Sequence, residues 1–117
     1  GWMSEICHDV LMDHMDAKLY KERIGSVRRF ERGLTDNGYL VLKFFFHISK
    51  KEQRKRLDNL LDSKNTAWQV DDFDLWENKH YDKCYEVYDT FLEDTTTSSS
   101  PWYVIDAKAK KWAELQI

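Results

Sequence analysis

Five cationic side chains crowd into seven residues of this sequence, directly behind the apolar run YLVLKFFFHI. They are Lys50, Lys51, Arg54, Lys55 and Arg56. In a helix, i,i+4 spacing puts Lys50 beside Arg54 and Lys51 beside Lys55, and like charges so placed repel each other unless an anion offsets them. The cluster therefore indicates either a solvated basic face or a place where phosphate is held.

Two features of the cluster favour phosphate. It opens a predicted helix, whose free amides and dipole attract anions. It also follows the carboxyl end of a predicted parallel strand, which is where α/β proteins bind ligands. A guanidinium such as that of Arg56 offers phosphate oxygens a two-pronged fork and keeps its proton, whereas the ammonium of Lys50 adds a point charge.

The other side chains that could do chemistry have simpler structural interpretations. His8 and His14 lie six residues apart, which is not the spacing of metal ligands on a helix. Asp71, Asp72 and Asp74 either hold magnesium or begin a capped helix, and the second interpretation is simpler. The sequence contains no G-x-x-x-x-G-K-[ST] phosphate loop and not even a Gly-Lys pair.

The elements that must position the cationic cluster follow from the apolar periodicity. The pattern predicts helices over 4–20, 21–34, 50–62 and 75–94, strands over 39–48 and 102–107, and a last helix over 107–117 capped by Asp106. Helix, turn, apolar strand and helix in that order predict an α/β fold with parallel strands and flanking helices.

Local signals sharpen some of these elements. The S-x-x-E spacing of Ser49 and Glu52 predicts a capping box at the start of the helix that carries the cations. The strand over 39–48 lacks alternation, so we expect it to be buried on both faces, the alternative being an edge strand from which Lys43 reaches to solvent. In the polar connection that follows the cationic helix, Trp68 and Val70 are the expected buried residues.

Size and composition bound the function. The chain has 117 residues, 42% of them hydrophobic, and a net charge of −3. It suits one domain, offers nucleic acid no global attraction, and has no apolar stretch of the ~20 residues that a membrane span needs. Two cysteines without CxxC spacing fit a reduced, cytoplasmic setting.

Three segments together resemble one protein family. They are FERGLTDNGYLVLKFFFHISKKEQRKRL, WQVDDFD and HYDKCYEVYDTFLEDTTTSSSPWYVIDAKAKKWAEL. In order and content they resemble the type-two polyphosphate kinases, a family that includes polyphosphate:AMP phosphotransferases, and the resemblance covers roughly residues 22–115. It implies a partial P-loop kinase-like domain over 1–117, related to thymidylate kinases, with a lid segment at about 56–80 and a phosphate loop upstream of this chain.

The resemblance also implies a chemistry and a set of residues. Family members move phosphoryl groups between polyphosphate and nucleoside mono- or diphosphates with Mg²⁺, whose ligands are not expected in this chain. Arg56 and Lys50 are then expected to bind polyphosphate, and Trp68 and Asp74 to belong to the lid, with Asp74 fixing a helix. No catalytic or metal-binding residue is expected here. The other matched positions are Lys43, Ser49, Gln53, Tyr88, Thr95, Pro101, Trp102 and Lys110.

Three departures from the family pattern remove positive charge. Leu60 stands where a second lid arginine is usual, Gln69 where a lysine follows the lid tryptophan, and Glu114 where an arginine is common. We therefore expect the chain to be inactive alone, and to associate with itself or with a missing half-domain. One alternative is a non-catalytic repeat that braces or dimerises a tandem-domain phosphotransferase, and a weaker one is a nucleoside monophosphate kinase relative that uses ATP.

Overall fold

A short sheet and a set of helices make up the described part of the chain, which is residues 2–106 and 111–114 of a computed structural model. The helices are α1 (Trp2–Leu11), α2 (Ala17–Asp36), α3 (Lys50–Leu61), α4 (Asp72–Lys79) and α5 (Tyr81–Thr95), with a 3-10 turn at Ala67–Gln69. The strands are β1 (Lys43–His47), β2 (Trp102–Asp106) and β3 (Lys111–Glu114). The α/β class is confirmed.

The sheet has the order β1-β2-β3. β1 and β2 run parallel, with Lys43 opposite Trp102 and His47 opposite Asp106. The predicted pair of parallel strands is therefore confirmed, and helices α3, α4 and α5 lie in the crossover connection between them. Such a crossover brings the carboxyl ends of both strands to one rim of the sheet.

The prediction of a final helix capped by Asp106 was wrong over 111–114. These residues form β3, which pairs antiparallel with β2 so that Tyr103 lies opposite Glu114 and Asp106 opposite Lys111. Asp106 is the last residue of β2 rather than a helix cap. Ala, Lys and Glu favour helix locally, but the open edge of β2 supplies ladder hydrogen bonds that outweigh a weak propensity. The rest of the predicted helix lies outside the described residues.

Two predicted helix boundaries were displaced by local caps. The first helix ends at Leu11, and Asp16 begins α2 by accepting a hydrogen bond from the Leu19 amide at 2.8 Å. The single helix predicted over 75–94 is two helices, α4 and α5, that meet at His80.

One face of the sheet carries the hydrophobic core. Helices α1, α2 and α5 bury Ile6, Cys7, Ile24, Val27, Phe91 and Leu92 against Trp102. Phe45 and Val104 pack against this core from the sheet. Because successive residues of a strand face opposite sides, Phe44 and Phe46 point away from it.

The other face of the sheet is bare in the part of the chain that the structure describes. Phe44 is 50% exposed and Phe46 63% exposed, and Tyr103 and Ile105 lie beside them in register. The prediction of a strand buried on both faces was therefore wrong. The alternative was also wrong in one respect, since Lys43 is buried and does not reach to solvent.

Among the described residues, no helix combines the length and the apolar character that crossing a bilayer requires.

Candidate functional site

The cationic helix α3 begins at Lys50, three residues beyond the carboxyl end of β1 at His47. Ser49 caps it, its Oγ accepting a hydrogen bond from the Glu52 amide at 3.1 Å. This is one half of the capping box that the sequence predicts. The cap turns the chain from strand to helix at the sheet rim, so the first-turn amides and Lys50 lie just beyond β1.

Polar contacts from α4 and α5 hold the start of α3 in place. Tyr81 donates its hydroxyl hydrogen to the Ile48 carbonyl at 2.5 Å. Asn78, which is buried, donates from Nδ2 to the Lys50 carbonyl and to Gln53 Oε1, both at 3.0 Å. The backbone of the first α3 turn is thus fixed by side chains distant in sequence.

The carboxylate of Glu77 links the side chains of Gln53 and Tyr88. Together with Asn78, which contacts Gln53, these residues form what we call the Glu77 network (Gln53, Glu77, Asn78, Tyr88). Gln53 Nε2 donates to one oxygen of Glu77 at 2.8 Å, and the Tyr88 hydroxyl donates to the other. Burial, and then the hydrogen bond to Glu77, raise the pKa of Tyr88. Tyr88 therefore stays protonated, as a donor must.

The resemblance pointed to Gln53 and Tyr88, but Glu77 and Asn78 escaped the sequence analysis. Their partners on α3 lie 24 and 25 residues away in the chain, so no local spacing rule relates them. One signal was available in the sequence. Glu77 and Asn78 stand among aromatic residues, and polar side chains that face inward from such a segment need hydrogen-bond partners.

A groove runs along α3 with a volume of about 940 Å³. We call it the α3 groove; it is lined by Ser49, Lys50, Lys51, Glu52, Arg54, Lys55, Asp58, Asn59 and Asn78. Four of these side chains are cationic and two are acidic. Arg54 pairs with Asp58 at 3.0 Å, and this exposed i,i+4 pair is weak, at about 0.3–0.5 kcal/mol. The groove therefore keeps a local excess of positive charge.

Arg56 does not line the α3 groove. Six residues along a helix turn the side chain about 120° away from that of Lys50. Arg56 is exposed, and within the described residues no ion pair joins it to a carboxylate. The two side chains predicted to bind polyphosphate therefore lie on different faces of α3, and Lys51, Arg54 and Lys55 share the groove with Lys50.

The predicted lid residues fall on two separate features. Trp68 is 78% exposed, so the expectation that it is buried was wrong; it lies in the 3-10 turn and donates from Nε1 to the Asn65 carbonyl at 2.8 Å. Asp74 accepts from the Asp71 amide at 3.0 Å, and Asp71 accepts from the Asp74 amide at 2.8 Å. Asp74 thus closes a capping box at the start of α4.

The acidic residues at that helix start do not fit a magnesium site. Asp71 and Asp74 use carboxylate oxygens to cap the helix. Over 2–106 and 111–114, no group of three or more His, Cys, Asp or Glu side chains is arranged to hold a metal ion.

The tyrosines of α5 pack on one another. The rings of Tyr81 and Tyr85 stack with centroids 4.0 Å apart, and Tyr88 meets Tyr85 edge-on at 5.3 Å. Trp76 stacks on His80 at 4.3 Å. These are packing contacts among half-buried rings of α4 and α5.

Lys43, Thr95 and Trp102, all matched in the family resemblance, meet at the amino rim of the sheet. Lys43 Nζ donates to Glu31 Oε1 at 2.9 Å and to the Thr95 carbonyl at 2.6 Å. Trp102 donates from Nε1 to Thr95 Oγ1 at 2.8 Å. Burial lowers the pKa of Lys43, and the carboxylate of Glu31 opposes that shift. The cluster holds α2, β1 and α5 together and is structural. Lys110, also matched, lies outside the described residues.

Comparison with known proteins gives this geometry a family context. The sequence model of the Polyphosphate kinase 2 (PPK2) family matches residues 1–117. An AMP/ADP-polyphosphate phosphotransferase from Meiothermus ruber is 41% identical over 95 residues, which are 81% of this chain and 35% of that protein. A polyphosphate:AMP phosphotransferase from Pseudomonas aeruginosa is 28% identical over the whole of this chain, which covers 24% of its length.

A solved structure shows the same fold. The crystal structure of polyphosphate kinase 2 from Arthrobacter aurescens TC1 superposes with a TM-score of 0.79 and 30% sequence identity. The match covers 87% of this chain and 36% of that one. The chain thus spans about a third or less of the length of these three relatives.

Proposed function

The chain belongs to the polyphosphate kinase 2 family, and we propose that it is the carboxyl-terminal half of a P-loop kinase-like domain in a polyphosphate-dependent nucleotide phosphotransferase. The reaction of the intact domain is transfer of a phosphoryl group between polyphosphate and a nucleoside mono- or diphosphate. The relatives, an AMP/ADP-polyphosphate phosphotransferase and a polyphosphate:AMP phosphotransferase, support this reaction. We infer that this chain does not carry the reaction by itself, because its sequence has no phosphate loop.

The α3 groove is the observation that carries the proposal. It places Lys50, Lys51 and Lys55 beside the first turn of a helix, directly beyond the carboxyl rim of two parallel strands. Cations and helix amides at that rim attract the oxygens of a phosphate chain. Fixed positive charge also stabilises the oxygens of a phosphoryl group in transfer, and it needs no reorganisation at that moment.

Arg56 and the lid have a second role in the proposal. Arg56 projects from a face of α3 about 120° around the helix from Lys50, so it can contact a further stretch of a polymer that passes around α3. The segment at about 56–80, which carries exposed Trp68 and is fixed at Asp74, is the part that closes over substrate. Magnesium would bind outside the described residues, and no step assigned to this chain involves it.

Turnover and binding together test the proposal. The chain is incubated with long-chain polyphosphate, Mg²⁺ and AMP or ADP, and nucleotide phosphorylation is followed beside polyphosphate binding. We expect no turnover, because the sequence has no phosphate loop, but salt-sensitive binding that Arg56→Ala and Lys50→Ala each weaken. Lys18→Ala, which removes an exposed cation from the first turn of α2, is the control and should bind as the parent does. Binding unchanged in both test variants contradicts the assignment.

The alternative is a non-catalytic repeat that dimerises or braces a tandem-domain phosphotransferase. Leu60 and Gln69, which stand where the family pattern has cations, and the bare sheet face favour it. A chain that binds no polyphosphate at all but associates through that face fits the repeat and not the phosphate site. Replacing polyphosphate with ATP in the same binding assay tests the remaining, ATP-dependent interpretation.

A further inference from the structure

A second groove lies at the opposite rim of the sheet from α3, with a volume of about 670 Å³. We call it the amino-rim groove; it is lined by Arg28, Arg29, Arg32, Thr35, Asp36, Thr97, Ser99 and Ser100. One wall is the second half of α2, and the other is the loop that leads into β2. None of these residues belongs to the α3 groove.

Positive charge dominates the amino-rim groove. Three arginines line it against one carboxylate, in a chain whose net charge is −3. Asp36 approaches Arg32 only to 3.9 Å, and both side chains are largely exposed, so this pair neutralises little. The other acid on this part of α2, Glu31, is held by Lys43 at 2.9 Å. Among the residues that the structure describes, the guanidinium groups of Arg28 and Arg32 therefore remain open to an external anion.

The loop wall presents hydroxyl groups in a fixed arrangement. Thr97 Oγ1 accepts from the Ser100 amide at 3.0 Å and lies 2.8 Å from Ser100 Oγ. Ser100 is buried and donates from Oγ to Glu31 Oε1 at 3.5 Å, which anchors the loop, while Ser99 is exposed and lines the groove. Guanidinium forks facing hydroxyl donors match the oxygens of phosphate groups, which accept hydrogen bonds in every direction.

We propose that the amino-rim groove is a second binding site for condensed inorganic phosphate, with Arg28 and Arg32 as its principal ligands. Five-residue strands separate the two rims by about 16 Å, so one long polymer can contact both grooves. The second site would then retain polymer that the first releases. The identity of the ligand rests on the proposed function, whereas the existence of a phosphate-binding groove here does not.

Calorimetric titration with inorganic tripolyphosphate, which is too short to occupy both rims, tests the inference. The parent chain should bind it at two sites. The double variant Arg28→Gln/Arg32→Gln should lose the site in the amino-rim groove. The double variant Lys50→Gln/Arg56→Gln should lose the site on α3. Lys18→Gln with Lys21→Gln takes the same charge from exposed positions in the first half of α2 and should leave both sites. With long-chain polyphosphate, the Arg28/Arg32 double variant should bind about tenfold more weakly.

The outcomes separate the two proposals. Two sites retained in the Arg28/Arg32 double variant overturn the inference, as does an equal loss in the Lys18/Lys21 control, which would reduce the effect to net charge. Loss of a site at Arg28/Arg32, with none lost at Lys50/Arg56, upholds the inference and contradicts the site assigned to the proposed function. Thermal melting by circular dichroism shows whether each variant folds; these side chains are exposed, so the melts should overlay.

Discussion

At the scale of single residues, a buried cation that lines neither groove contributes to the fold instead. Lys43 is buried, donates to Glu31 and to the Thr95 carbonyl, and lies 5.3 Å from the ring centroid of Trp102. Loss of its charge leaves the largely buried carboxylate of Glu31 without its cation, and that costs more than the pair contributes while intact.

Lys43→Met should lower the free energy of unfolding by about 3 kcal/mol, because it orphans Glu31. Adding Glu31→Gln to that variant removes the orphaned charge and should restore part of the loss. Urea unfolding of the two single variants and the double variant gives the coupling energy. Additive effects would show that the ion pair contributes nothing.

The thiol of Cys7 makes the free energy of unfolding vary with pH in the alkaline range. Burial, and then the neighbouring Cys84, raise the pKa of Cys7 from 9.0 to about 12. A raised pKa in the folded state gives stability that is complete below pH 9 and is lost as pH rises toward 12. Cys7 alone should therefore lower the free energy of unfolding by about 2 kcal/mol between pH 8 and pH 10.5.

Cys7→Ala isolates that contribution. The variant is less stable at neutral pH because it leaves a small cavity, but its free energy of unfolding should fall less steeply over the same interval. Lys43, whose lowered pKa acts in the opposite direction, is common to both proteins and cancels in the comparison. Parallel curves for parent and variant, from guanidinium titrations, would refute the prediction.

At the scale of elements, the contact of α3 with α4 is largely polar. Asn78 touches both the Lys50 carbonyl and Gln53, so its amide fixes where the α3 groove begins. Asn78→Ala should cost about 2 kcal/mol, because the part-buried Gln53 oxygen and the Lys50 carbonyl lose their donor. It should also weaken polyphosphate binding, although Asn78 carries no charge. Thr90→Ala, at an exposed position of α5 outside the α3 groove, should change neither quantity.

The elements that could be predicted from the sequence are those specified by neighbouring residues. Ser49 three residues before Glu52 located the start of α3, because a capping box is local chemistry. β3 could not be predicted, since its residues favour helix and only pairing with β2 makes them a strand. The break at His80 was missed because the apolar spacing continues across it.

The candidate site divides in the same way. Its cations were evident from composition and spacing, since five of them stand together in seven residues. What was not evident is that Lys50 and Arg56 serve different faces, and that Asn78 and Glu77 support the helix. The first point is a matter of helical rotation, and the second depends on contacts between residues far apart in the chain.

At the scale of the whole molecule, the described residues cover only one face of the sheet. The radius of gyration, 15.9 Å, exceeds the roughly 13 Å expected for a compact chain of this length. Sheets with parallel strands normally carry helices on both faces. Leu42, Phe44 and Phe46, each at least half exposed, line the uncovered face together with Tyr103 and Ile105.

The bare face should make the chain self-associate. Burying apolar side chains against a second copy recovers about 25 cal/mol for each Å² removed from water. Phe46→Lys places a charge in that face and should shift sedimentation velocity toward the monomer. Leu61→Lys makes the same change at an exposed position of α3 and should not. A parent chain that sediments as a monomer at all concentrations would refute this prediction.

The Glu77 network also determines the position in which α3 repacks after any displacement. Hydrophobic contacts are not directional, so a helix held by them alone can pack in several neighbouring positions. Gln53, Asn78 and Tyr88 instead meet their partners through bonds that work at one angle and one distance. A displaced α3 therefore repacks in a single position, and its cations regain the same placement relative to the sheet.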